Sequence, residues 1–162
     1  MFIPFVSYVL NEKIGVFVFL SKYIHYICGC LDINDVYMDE NLKKQLSKDP
    51  DGLLTYEYIA NNIETIDNII MHELAENIIN VDMSGQFVVS AARYLNAIDK
   101  EKFAESIDCL IKAAIEKDRE RKYLGDLIVS VWGADYKERA EQLSAEDDNF
   151  RRIYKRLYSI GI

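Results

Sequence analysis

Two prolines, Pro4 and Pro50, and seven glycines are the only strong turn-formers in a chain of 162 residues. A many-stranded sandwich or barrel needs a turn about every 8–12 residues, and this chain lacks the residues to make them. Half of the residues are apolar or aromatic, enough for one continuous core. No Ser/Gly or Pro tract marks a linker. The expectation is an all-α, single-domain bundle of six to eight helices over residues 1–162.

Apolar spacing places the helices. Phe103, Ile107, Leu110 and Ala114 recur at steps of three and four with charged residues between them, as on one face of an amphipathic helix. Phe87, Ala91, Leu95 and Ile98 form a second such set, and Asp99 stands between the two as an expected N-cap. Leu124, Leu127, Ile128, Val131 and Trp132 make another, closed by Gly133. Tyr136, Ala140 and Leu143 make a short helix. Ser144 opens a capping-box-like Ser-x-x-Asp before a last helix carrying Phe150, Ile153, Tyr154 and Leu157.

Asp49-Pro50-Asp51-Gly52 is the strongest turn signal and separates two helices. Beyond it, Ile59, Ile63, Ile66, Ile70 and Leu74 predict one long helix from near Thr55 to Ile79. Residues 6–20 favour a helix, with a short β-hairpin turning at Asn11-Glu12-Lys13 as the alternative. No internal repeat is apparent.

Three cysteines, Cys28, Cys30 and Cys109, have no C-x-x-C spacing and suggest reduced, core-packing thiols rather than a disulfide framework or zinc knuckle. The first ten residues carry no charge, unlike a secretory signal, and the apolar stretch Ile14 to Cys30 is interrupted by Lys22 and His25. A cytoplasmic protein without a membrane span is expected.

Phosphate loops, dinucleotide-binding glycine patterns and nucleophile elbows are absent, so enzymes built on those motifs lose support. His72-Glu73-Leu74-Ala75-Glu76 resembles the opening of H-E-x-x-H, with Glu76 in place of the second histidine. No convincing third ligand accompanies it. No catalytic residue, metal or cofactor is assigned, and the expectation is a non-enzymatic protein.

Charge is the unusual feature. From Asp49 through Ala92 there are eight acids (Asp49, Asp51, Glu57, Glu64, Asp67, Glu73, Glu76 and Asp82) and no Lys or Arg, while the whole chain has a formal charge of −8. Concentrated negative potential steers a basic partner and disfavours nucleic acid, whose phosphates require a basic stripe. Tyr56 and Tyr58 add aromatic contact area to the same stretch. These ten residues form the expected partner-binding set, and the partner is a basic protein. In overall character the chain resembles immunity proteins, small acidic proteins that neutralise a basic toxin such as a nuclease by 1:1 binding. This is a likeness of type that carries over no residues. Two alternatives are a helical regulatory or scaffold module acting as a homodimer, and a metal-dependent enzyme around His72.

Overall fold

The structure, a computed structural model, describes residues 38–158, which belong to one compact unit. The helix-or-hairpin alternative at 6–20, Cys28 and Cys30 lie outside the described residues. Within them are eight helices and no strand: α1 (Glu40–Leu46), α2 (Leu53–Asn62), α3 (Asn68–Val81), α4 (Gln86–Asp99), α5 (Ala104–Lys117), α6 (Leu124–Trp132), α7 (Ala140–Glu146) and α8 (Asp148–Tyr158). None of the helices of the described residues is long and apolar enough to cross a membrane.

The expected helix from Thr55 to Ile79 is two helices, α2 and α3. Local hydrogen bonds compete with helix continuation at the break. Thr65 Oγ1 donates to the carbonyl of Asn62 at 3.0 Å, and the Asp67 carboxylate accepts the amide of Ile70 at 2.8 Å, capping α3. Asp99 likewise accepts the amide of Lys102 at 2.9 Å, but it is the last residue of α4, and α5 begins only after Phe103. The cap expected of Ser144 belongs to Asp147, which accepts the amide of Phe150 at 3.1 Å; Ser144 lies inside α7. Gly133 ends α6 at φ 93°, a positive value as expected, with ψ extended at 163°.

The helices pack as hairpins laid side by side. α2 packs on α3, α4 on α5, and α6 on α8, with α7 folded against α8. The first members, α2, α4 and α6, adjoin one another in that order, and so do the second members, α3, α5 and α8. The arrangement is a short stack of helical hairpins, in which each unit covers the apolar face of its neighbour. Equivalent positions are buried: Thr55 and Ile59 in α2, Val88 and Ala92 in α4, Leu124 and Ile128 in α6. Leu74, Ile78, Ile107 and Ile111 do the same work on α3 and α5. Each fully buried Leu or Ile contributes about 1.5–3 kcal/mol relative to exposure.

This periodicity corrects the expectation of no internal repeat. Asp49 and Gly52 recur 33 residues later as Asp82 and Gly85, and Asp118 starts the third turn 36 residues after Asp82. α1 is tied to the first hairpin by Asn77, whose Nδ2 donates to the carbonyl of Leu46 at 3.0 Å and to Thr55 Oγ1 at 2.8 Å.

Candidate docking surface

The acids expected to form one surface divide into two kinds. Asp49 and Asp82 are buried, at 4 % and 0 % exposure. Asp49 accepts the amides of Asp51 (3.3 Å), Gly52 (3.0 Å) and Thr55 (2.9 Å) and the Thr55 hydroxyl (2.9 Å). Asp82 repeats the pattern with the amides of Ser84 (2.8 Å), Gly85 (2.9 Å), Phe87 (2.8 Å) and Val88 (3.0 Å) and with the Ser84 hydroxyl (2.8 Å). Each carboxylate thus satisfies the free N–H groups at the start of a helix, where the helix dipole also favours negative charge. Their oxygens face inward and are fully engaged, so these two residues leave the candidate surface.

Asp118 is a third bracket of the same type, and sequence reasoning missed it. It is 2 % exposed and accepts the amides of Lys122 (2.9 Å), Tyr123 (2.7 Å) and Leu124 (2.9 Å) at the start of α6. No glycine follows it at the Gly52 or Gly85 position; Arg121, at φ 61°, takes the left-handed residue's place in the turn. For Asp49, burial alone raises the carboxyl pKa. The amides of Thr55, Gly52 and Asp51 and the Thr55 hydroxyl outweigh that cost and hold it below its ordinary value of 3.8.

The other acids reach the surface. Asp51 lies at the tip of the first turn, accepting the amide of Leu53 at 3.1 Å. Glu57 is exposed on α2 and Glu64 in the α2–α3 turn, and neither has a hydrogen-bond or ion-pair partner among the described residues. Asp67 is exposed and occupied as the α3 cap. Glu73 is paired with Lys43 of α1 at 3.3 Å, and Glu76 stands 3.6 Å from His72. Surface pairs of this kind contribute about 0–1 kcal/mol.

The tyrosines also divide. Tyr56 is half-buried, its ring 6.2 Å from Phe87 and 6.1 Å from Tyr94 between centroids, so it joins α2 to α4. Tyr58 is half-buried and packs against the core. The acids that remain exposed are Asp51, Glu57, Glu64, Asp67 and Glu76, with Glu73 partly buried beside Lys43.

His72 and Glu76 approach one another, while Glu73 turns to Lys43. Among the described residues no group of three His, Cys, Asp or Glu side chains converges. Cys109 is a free, half-buried thiol on α5. No protein-family model, curated protein or solved structure matches the chain.

Proposed function

We propose that this protein is a non-enzymatic binding module that docks a basic protein through the acidic surface of its first hairpin, acting as an inhibitor or immunity protein in a 1:1 complex. The observation that carries the reading is the uncompensated charge of Glu57 and Glu64. The segment that holds them contains no Lys or Arg, and no basic residue among the described ones pairs with either. Lys43 takes Glu73, and Lys102 donates to the carbonyl of Ile66 at 3.3 Å rather than to a carboxylate. Such a surface accelerates encounter with a cationic partner and makes the complex sensitive to salt. Stacked helical hairpins suit this role because they present continuous surfaces built from successive units.

The test is an amide NMR titration of the full chain with a capped hexalysine peptide. Shifts concentrated at 51–67, saturable at low salt and lost in Glu57→Lys/Glu64→Lys, are the expected result. Shifts spread evenly over all acidic residues, or unchanged by the double substitution, would contradict the proposal.

A further inference from the structure

The turns that open the hairpins change sign along the stack. The first presents Asp51; the second presents Met83 and Ser84; the third presents Arg119, Glu120, Arg121 and Lys122. Between the second and third lies an open cleft of about 230 Å³, lined by Met83, Ser84, Lys117, Arg119, Lys122 and Tyr123 together with Asp118 and Glu120.

The acids of this cleft are already engaged. Asp118 gives both oxygens to backbone amides, and Glu120 pairs with Lys122 at 2.6 Å. Lys117 and Arg119 have no acidic partner among the described residues, so the cleft is cationic in a chain whose formal charge is −8. Its geometry is fixed by backbone contact. Gly85 has φ 83°, and a Cβ there would lie 3.2 Å from the amide nitrogen of Asp118 and 3.3 Å from Lys117 Cβ. Met83 is 80 % exposed at the tip of the second turn. The hydroxyl of Tyr123, which also lines the cleft, is hydrogen-bonded to Gln86 Oε1 at 3.3 Å.

We infer that this cleft is a second docking site, for an acidic peptide segment of a protein partner, with carboxylates seated on Lys117 and Arg119 and an apolar side chain against Met83. The inference deepens the proposed binding role and rests on it: the partner carries both signs, its basic part meeting Glu57 and Glu64 and its acidic part meeting this cleft. A carboxylate peptide fits better than a phosphoryl group. A small inorganic anion has no use for the Met83 wall, whereas a peptide reaches it and the cations together.

The experiment is an amide NMR titration of the full chain with a capped hexaglutamate peptide, with inorganic phosphate as competitor. Expected are saturable shifts confined to Ser84 and residues 117–123, weakened about tenfold or more in Lys117→Glu/Arg119→Glu, whose circular dichroism stays unchanged. Absent or dispersed shifts, an unaffected double variant, or displacement by equimolar phosphate would overturn the inference. The hexalysine titration separates the two proposals. Hexalysine binding without hexaglutamate binding removes only this cleft, the reverse removes only the acidic surface, and failure of both removes the binding module.

Discussion

A Cβ on Gly52 would stand 3.2 Å from the Cβ of Asp82, so the turn that opens the first hairpin rests directly on the carboxylate bracket that opens the second. The same contact recurs one unit later, between Gly85 and the backbone at Asp118. Bracket and glycine therefore act together: the carboxylate folds each turn back onto its helix, and the missing side chain lets the next turn close upon it.

Gly52→Ala and Gly85→Ala should each destabilise the fold. Both residues have left-handed φ, 97° and 83°, and both would push a methyl group into a neighbouring turn. A loss of about 1–3 kcal/mol is expected from strain and contact together. Gly125, inside α6 with no atom within 4 Å of an added Cβ, provides the contrast. Gly125→Ala should stabilise by roughly 0.5–1 kcal/mol. Urea denaturation of the three variants measures both signs.

Structural and surface acids should separate cleanly on truncation. Asp82→Ala strands four buried or half-buried amides and should cost about 2–4 kcal/mol. Glu57→Ala, on an exposed helical position, should stay within about 0.5 kcal/mol of the parent. Equal denaturation midpoints for the two would refute the bracket role.

Acid stability should depend on Asp49. Its carboxyl is held below 3.8 in the folded state, so the unfolded chain binds its proton first as pH falls. The stabilisation is complete above the unfolded value and is lost as pH drops from about 4 through the lower folded value. Asp49→Asn should therefore be less stable than the parent at neutral pH, with the gap narrowing below pH 4. Denaturation midpoints across pH 2–7 test this sign.

At the alkaline end, the paired hydroxyls of Tyr136 and Tyr158, 2.5 Å apart, and the burial of Tyr136 push the Tyr136 phenol up to about 12. The folded state then holds that proton longer than the unfolded chain. Stability from this pair is present below pH 10 and lost as pH rises through 12. Tyr136→Phe should remove that late step from an ultraviolet tyrosine titration.

The single tryptophan reports on the C-terminal hairpin. Trp132 Nε1 donates to Asp147 Oδ2 at 2.9 Å, and its ring meets Phe150 edge-on at 5.5 Å between centroids. Asp147→Ala removes this bond and the α8 cap together. A cost of about 1–3 kcal/mol and a changed Trp emission maximum are expected. An unchanged emission spectrum would show that the indole contact is not held by Asp147.

The helical class and the placement of α4, α5 and α6 were legible because Phe87 through Trp132 keep a regular apolar spacing within each helix. The break between α2 and α3 was not. Ile66 is buried inside the turn itself, so it keeps the apolar rhythm of Ile59, Ile63, Ile70 and Leu74 running through a segment that is not helical. The repeat was concealed for another reason. Only Asp and Gly persist between the first two turns, and the third keeps Asp118 but substitutes Arg121 for the left-handed glycine. The acidic surface was half legible. Counting charge cannot distinguish a carboxylate that caps a helix from one that faces solvent, although the shared Asp-x-x-Gly spacing at Asp49 and Asp82 was the available clue.

The most direct measurement is an affinity capture from the native host with the full chain and with Glu57→Lys/Glu64→Lys, each at low and at moderate salt. Docking through the first hairpin predicts one predominant basic protein, retained in a 1:1 ratio by the parent at low salt, released as salt rises and absent from the double variant. A partner held equally by both proteins at both salts, or no basic partner at all, would contradict it.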